Sequence, residues 1–362
     1  MEQYTGTKPV AASHAFDTAT LQAHLVRELP GFAGPLTVEQ FKGGQSNPTY
    51  KLVTPSRCYV MRTKPGPAAR LLPSAHAIER EFRVMQYLHG SAVPVPQMLL
   101  LCDDEAVIGR AFYVMEHVTG RVLWDQSLPG LQPAERSAIY DEMNRVIAAL
   151  HSTAVTPAMA SYGRPGNYFE RQIGRWGKQY RASEIEPIAE MDRLIAWLPA
   201  HMPPGARDDT QTAIVHGDFR LDNLMFHPTE PRVVAVLDWE LSTLGHPLAD
   251  FSYHCMAWHI PPGVFRGIGG LDLAALGIPD EDAYVRRYCE RRAAAGVPPD
   301  PAVLRADWNF YLAYNLFRMA SIMQGIAKRV LDGTASSDQA RASGAATRAL
   351  AELGWRYAQR AG

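Results

Sequence analysis

Long apolar runs are missing from this 362-residue chain. No stretch of about 18 apolar residues exists, so no membrane-spanning helix is expected. Met1-Glu2-Gln3-Tyr4 offers no basic start ahead of an apolar segment, so no secretory leader is read. Cysteine is scarce. Cys58, Cys102, Cys255 and Cys289 lie far apart without a Cys-x-x-Cys pair, and they read as reduced, mostly buried thiols. Charge of one sign is missing too: 36 Lys+Arg nearly cancel 37 Asp+Glu, which argues against general attraction to nucleic acid or membrane. Neither an internal repeat nor a low-complexity tract is found. A cytoplasmic location follows by default. What is present is ordinary for a globular protein, 47% hydrophobic and 20% charged. The length suits one large domain or two packed lobes.

Periodicity divides the chain. Asp17 to Leu29 has helical spacing at Leu21, Leu25 and Leu29, and Pro30-Gly31 stops it. Strands are expected over Val38 to Lys42, Thr49 to Thr54 and Cys58 to Thr63, with a tight Gly43–Pro48 loop after the first. Ser74 is placed to cap a helix from Ala75 to His89, with Ile78, Phe82, Met85 and Leu88 turned inward. Gln97 to Cys102 and Phe112 to Val118 read as further strands. Strands, one helix and two strands give a small β-rich lobe over 1–118, with the crossing near Thr119-Gly120-Arg121.

Helices dominate 119–362: Ala134 to His151, Tyr168 to Arg181, Met191 to Leu198 and two long closing helices. In the first closing helix Trp308, Leu312, Asn315, Met319, Ile322, Ile326 and Val330 form a stripe. Short strands are expected at Ala213–Val215, Leu224–Phe226 and Val233–Leu237, and Ile260 to Gly270 is a loop. The fold class is α+β, a bilobal protein-kinase-like arrangement with a larger, mostly helical second lobe.

Chemistry concentrates in His216-Gly217-Asp218-Phe219-Arg220-Leu221-Asp222-Asn223, followed by Val236-Leu237-Asp238-Trp239-Glu240. Phosphoryl transfer needs a carboxylate at the attacking hydroxyl, plus an amide oxygen and a second carboxylate for magnesium. The spacing from Asp218 to Asn223 is that of a protein-kinase catalytic loop. Asp218 is therefore the expected catalytic base, and Asn223 and Asp238 the expected magnesium ligands. Asp222 has the wrong register and reads as a solvated loop carboxylate. His216 reads as a loop-positioning residue bonded to backbone or to Asp238. Asp250 reads as a helix cap for Phe251 onward, and His254, Cys255 and His259 as packing residues rather than soft-metal ligands.

The first lobe supplies the nucleotide contacts in this reading. Gly43, Gly44, Ser46 and Asn47 would lay backbone amides and a hydroxyl over the phosphates of ATP. A cation on the third strand should meet a carboxylate on the next helix. Arg62 and Lys64 both qualify, with Glu81 as the partner. The backbone at Met115, Glu116, His117 and Val118 is expected to bind adenine.

Together these residues resemble the aminoglycoside phosphotransferase family, whose kinase-like fold also serves choline- and homoserine-type kinases. The resemblance runs from about Val38 to the final helices and implies ATP and magnesium. Tyr59 to Pro65, Leu72-Pro73-Ser74-Ala75-His76, Asn167-Tyr168-Phe169-Glu170-Arg171-Gln172 and Leu237-Asp238-Trp239-Glu240 look like one branch. That branch is similar to the kinase-like domain fused to acyl-CoA dehydrogenases in some animal proteins. It implies a hydroxylated acyl-CoA, a 4-hydroxyacyl thioester, as acceptor. No flavin-binding pattern is read, and a dehydrogenase part is expected to be absent. Arg62 departs from the simple lysine of the pattern.

Charge adds one hint. Arg171, Arg175 and Lys178 recur at helical spacing, with Arg181 next, which suits an anionic acceptor such as coenzyme A better than a polycationic aminoglycoside. The bland reading of that stripe is a solvated basic face. Against a hydroxyacyl-CoA kinase stand three readings: a catalytically silent nucleotide-binding module, a kinase of another small alcohol or an aminoglycoside, and a protein kinase. No Ala-Pro-Glu segment follows Asp238, which weighs against the last.

Overall fold

The structure, a computed structural model, describes residues 6–42, 47–65, 77–164, 166–297, 301–333 and 338–361, with side chains left out of 301–303 and 338–345. The strands are β1 (Thr7–Lys8), β2 (Thr37–Phe41), β3 (Thr49–Val53), β4 (Cys58–Thr63), β5 (Met98–Cys102), β6 (Phe112–Glu116), β7 (Arg121–Val122), β8 (Ala213–Val215), β9 (Leu224–Phe226), β10 (Val233–Val236) and β11 (Thr243–Gly245). The α-helices are α1 (Thr18–Glu28), α2 (Ile78–Leu88), α3 (Pro133–Ser152), α4 (Tyr168–Ser183), α5 (Ala189–Ala200), α6 (Pro247–Cys255), α7 (Leu273–Leu276), α8 (Glu281–Ala294), α9 (Pro301–Leu331) and α10 (Asp338–Arg360). No helix among the described residues is long and apolar enough to cross a membrane.

The chain divides into two compact units, residues 1–124 with 223–242, and residues 125–222 with 243–362. A single cut at 118/119 is thus not how the contacts divide. The hairpin β9–β10 belongs with the first unit for identifiable reasons. Its β9 pairs with β7 through Arg121↔Phe226 and Val122↔Met225, and Val236 N–H bonds the Pro94 carbonyl at 2.9 Å.

In the first unit six strands run in the order β1-β2-β3-β4-β6-β5, antiparallel throughout. Alternation on β3 sends Tyr50 and Leu52 inward, where they meet Met61, Phe112 and Val114 and the α1 residues Leu21 and Leu25. Asp17 caps α1 by accepting the N–H groups of Ala19 and Thr20. Helix α2 begins at Ile78, and the expected Ser74 cap falls outside the described residues. Ile78, Met85 and Leu88 are buried as expected. Phe82 is not; Val84 and the charged Glu81 take the inner face instead.

The second unit is built around α9. Every residue from Phe310 to Ser321 is buried, so this helix has no solvent face there. The expected single stripe is corrected accordingly: Trp308, Ile322, Ile326 and Val330 are only half-buried. The cause is enclosure, because α4, α5, α6 and α10 all pack on α9. Helices α7 and α8 and the strand β11, which pairs with the expected β8, were not among the expected elements. In α8 the four buried residues are Tyr284, Tyr288, Cys289 and the charged Arg292, and six further charged residues surround them, which masks the periodicity.

Candidate active site

In the first unit, β4 delivers Arg62 and α2 delivers Glu81. Arg62 Nε lies 3.0 Å from Glu81 Oε2, and its Nη2 reaches Asp238 Oδ1 at 3.2 Å and Glu240 Oε2 at 3.6 Å. Glu81 is almost wholly buried and is held on both oxygens, by Asn47 Nδ2 at 3.0 Å and the Tyr113 hydroxyl at 3.1 Å. Burial weighs against the charge on Arg62, but the surrounding carboxylates of Glu81, Asp238 and Glu240 outweigh it and raise its pKa further. Burial pushes the Glu81 carboxyl upward too, against the pull of Arg62. With a cation at 3.0 Å and two donors on its oxygens, the pair is ionised.

Lys64 turns elsewhere and pairs with Glu79, where both side chains are a third or more exposed. Of the two cations left open by the sequence, Arg62 is the one that meets Glu81. Asn47 has its side chain in this buried network. Gly43, Gly44 and Ser46, expected over the phosphates, lie outside the described residues. Glu116 ends β6, with its N–H bonded to the Gln97 carbonyl at 2.9 Å. His117 and Val118 follow it half-buried, and burial lowers the His117 pKa, aided by Lys51.

Asn223 and Asp238 also belong to the first unit. Asn223 immediately precedes β9 and Asp238 lies two residues past the end of β10, and between them Leu237 N–H bonds the Asn223 carbonyl at 2.8 Å. Asn223 is buried, whereas the Asp238 side chain is 36% exposed. Asp238 has left-handed backbone angles, φ 64° and ψ 62°. A non-glycine residue held there costs on the order of 1 kcal/mol, a strain that recurs at functional positions. Both side chains offer hard oxygens, the donor type that magnesium selects. Among the described residues no cluster of three or more His, Cys, Asp or Glu could hold a metal. His254 and His259 are instead hydrogen-bonded to Tyr284, and to Glu281 and Tyr357.

In the second unit, β8 ends at Val215 and the chain turns through His216 and Gly217 into Asp218. Gly217 has φ +82°, which only glycine adopts at low cost. The turn is fastened by Asp250 from α6, whose oxygens accept the N–H groups of His216 at 2.7 Å and Gly217 at 2.9 Å. His151 adds a third contact to Asp250 at 3.2 Å. Burial alone would raise the Asp250 carboxyl, but the hydrogen bonds and charge of His151, with those of His216, hold it below its ordinary value. The cap of α6 is His246, which accepts Leu248 N–H, so Asp250 is not the helix cap that the sequence suggested. His216 is fully buried and its Nδ1 accepts the Asp218 N–H at 3.2 Å, a backbone-positioning contact. From α9, Arg318 donates to the Gly217 carbonyl at 2.5 Å and lies over the Tyr253 ring.

Asp218 itself is gripped on both oxygens. The Tyr253 hydroxyl donates to Oδ1 at 2.5 Å, and Arg220 Nε stands 3.1 Å from Oδ2. Asp222 contradicts its expected role as a solvated carboxylate. Its side chain is 3% exposed and pairs with Arg220 at 3.5 Å and with Arg266. The sequence reading missed Tyr253, Arg318, Arg220 and Arg266 as neighbours of this loop. Asp250 and Tyr253 are one helical turn apart in α6, and that i, i+3 spacing was the available signal.

On α4, Arg175 rests over the Trp176 ring and Lys178 is exposed, whereas Arg171 donates to the Arg164 carbonyl at 2.6 Å. Arg181 is neutralised by Asp192 at 2.6 Å and Glu184 at 3.2 Å, so it drops out of the basic face.

Acyl-CoA dehydrogenase family member 10 from Mus musculus is 47% identical over 360 residues, covering 98% of this chain and 32% of that protein. The chain spans less than half the length of the curated relatives it matches. A crystal structure from Ralstonia eutropha, provisionally assigned as an aminoglycoside phosphotransferase, is 62% identical with a TM-score of 0.86, covering 96% of this chain and 99% of that one. Aminoglycoside phosphotransferase APH(4)-Ia, crystallised with AMP-PNP and hygromycin B, is 16% identical with a TM-score of 0.58 over 93% of this chain and 98% of that one, a likeness of fold. Residues 37–284 match the profile described as APH, phosphotransferase enzyme family. The chain belongs to that phosphotransferase family and has its kinase-like fold.

Proposed function

We propose that this chain transfers the terminal phosphoryl group of ATP to a hydroxyl of a small molecule, with Asp218 as the base. The observation that carries the reading is the setting of Asp218. Its loop is fastened by Asp250 and Arg318, its two oxygens are oriented by Tyr253 and Arg220, and its side chain remains 18% exposed. A carboxylate held this way can orient an acceptor hydroxyl and take its proton as the bond to phosphorus forms. A solvated turn aspartate would need none of these braces.

Arg62, fixed by Glu81, is the proposed phosphate-binding cation, and the backbone at Glu116–Val118 the proposed adenine contact. The loop Gly43, Gly44, Ser46 and Asn47 is the proposed phosphate cover. Asn223 and Asp238 would hold magnesium, which would supply charge neutralisation at the phosphates. The oxygen chemistry and adjacency of these two residues support that assignment.

For the acceptor we favour a hydroxyacyl-CoA. Two observations support it: relatives named as acyl-CoA dehydrogenase family members match nearly the whole of this chain, and α4 presents Arg175 and Lys178 without an ion pair among the described residues. The test is incubation with labelled ATP, magnesium and a series of 4-hydroxyacyl-CoA esters, followed by mass spectrometry. Gain of one phosphoryl group on the ester is expected. Phosphorylation of an aminoglycoside or amino alcohol in its place would overturn the acceptor while keeping the reaction class.

A further inference from the structure

The segment Ile260–Gly270 was expected as a plain loop, yet it is closed on itself and strained. Ile268 N–H bonds the Ala257 carbonyl at 2.8 Å and Gly269 N–H the Ile260 carbonyl at 2.9 Å, which ties the two ends together. A Cβ at Gly267 would fall 1.8 Å from the Ile260 carbonyl oxygen, so only glycine fits the closure. Two successive non-glycine residues at the tip, Phe265 and Arg266, have positive φ angles of 32° and 56°. Such strain persists only where the surroundings impose it. The side chain that this tip delivers is Arg266, and it ends on the buried carboxylate of Asp222.

A chain of alternating charges runs from there to the reacting end of the loop. Arg266 pairs with Asp222, Asp222 lies 3.5 Å from Arg220, and Arg220 lies 3.1 Å from Asp218. The anchor Asp222 is 3% exposed, whereas Arg220 and Arg266 keep 24% and 27% of their side chains open. Asp222 is therefore a fixed anion that sets where the Arg220 guanidinium stands.

We infer that the Ile260–Gly270 loop is a positioning element for phosphoryl transfer: through Arg266 and Asp222 it holds Arg220 beside Asp218, where Arg220 meets the phosphoryl group in transit. This rests on the kinase reading above. In that reaction the acceptor oxygen bonds to phosphorus and its proton passes to Asp218. The bond from phosphorus to the bridging oxygen of ATP breaks, and that electron pair leaves with ADP. Charge spreads over the equatorial oxygens as this happens. A hydroxyl within about 2.6–3.2 Å of Asp218 puts those oxygens within reach of a guanidinium already against the same carboxylate. Arg220 is then an arginine finger supplied in cis, and Arg266 and Asp222 are positioning residues acting through it.

The test compares wild type with Arg220→Met, Arg220→Lys, Arg266→Ala, Arg266→Lys and the double variant Arg220→Met/Arg266→Ala. Turnover is read with a 4-hydroxyacyl-CoA and, separately, as ATP hydrolysis with water as acceptor. Inhibition by ADP with aluminium fluoride, a mimic of the phosphoryl group in transit, is read beside the affinity for ADP alone. Arg220→Met should lower kcat by about 100- to 1,000-fold. Arg266→Ala should lower it by about 10- to 100-fold, as expected of a misplaced group. The double variant should be no worse than Arg220→Met, and lysine at either position should recover part of the loss. Aluminium fluoride inhibition should weaken in Arg220→Met and Arg266→Ala while ADP affinity holds. Wild-type turnover in Arg266→Ala, additive losses, or parallel loss of ADP affinity would overturn the inference and leave the kinase reading standing. A wild-type protein that neither transfers phosphate nor hydrolyses ATP would overturn both.

Discussion

Removing the Asp222 carboxylate leaves Arg220 and Arg266 without the anion that both engage. Asp222→Ala should therefore destabilise the fold by about 2–3 kcal/mol, below the ~3–5 kcal/mol of a fully buried pair because both arginines keep part of their surface in water. Chemical denaturation of the variant measures this, and a change within experimental scatter would return Asp222 to the solvated role its sequence position suggested. A second residue-scale prediction separates Arg62 from Lys64. In a double-mutant cycle on nucleotide affinity, Arg62→Ala and Glu81→Ala should be coupled by about 1–3 kcal/mol, since they form one buried pair. Lys64→Ala and Glu79→Ala should show about 0.5 kcal/mol or less, as exposed pairs do. Reversed couplings would mean that Lys64 is the phosphate-binding cation. Sequence alone could not make this distinction, because both cations share a strand face. The choice depends on Asn47, Tyr113, Asp238 and Glu240, from three separate stretches of chain, gathering around the Arg62–Glu81 pair.

Helix α6 and its capping residue carry both the brace for the Asp218 loop and two of the most perturbed histidines. Burial lowers the pKa of His246 and of His254 to about 4, and both are neutral in the folded state near neutrality. On unfolding they regain an ordinary value near 6.5, so the unfolded chain binds more protons between those limits. Stability is therefore complete above about pH 6.5 and declines as pH falls toward about 4, by up to ~3 kcal/mol per histidine. Asp250 adds a loss at lower pH, as its depressed carboxyl begins to protonate. Thermal unfolding across pH 7 to 4 should show a falling midpoint that flattens in His254→Phe. A flat profile in the parent protein would contradict the burial of these groups. The brace itself was hidden from sequence reading. Asp250 looks like a cap because it follows a proline and precedes an apolar run, and only the return of β8 beside α6 reveals the two amides it serves.

At the scale of the whole molecule, substrate charge is the open variable. Arg175→Glu with Lys178→Glu should raise the KM for a coenzyme A ester and leave that for ATP nearly unchanged, with the effect fading as salt is added, since exposed charges are screened over about 10 Å at ~0.1 M. A polycationic acceptor would bind better to the same variant. No change for either would make the stripe a solvated face, with the acceptor resting on the relatives alone. Much of the architecture was legible beforehand. The strands β4, β8 and β9 were read to the residue because turn residues bracket short apolar runs. The candidates Asp218, Asn223 and Asp238 stood out by their spacing, and their roles are the proposal made above. Enclosure of α9, the second unit's hold on Asp218 and the ion-pair chain to Arg266 were not legible, because each joins residues distant in sequence. The central claim is that Asp218 is the base in phosphoryl transfer, and it is tested by label transfer from ATP to a 4-hydroxyacyl-CoA with wild type and Asp218→Asn at equal ADP affinity. The account predicts a fall of about two to four orders of magnitude in turnover for the variant; transfer at the wild-type rate would contradict it.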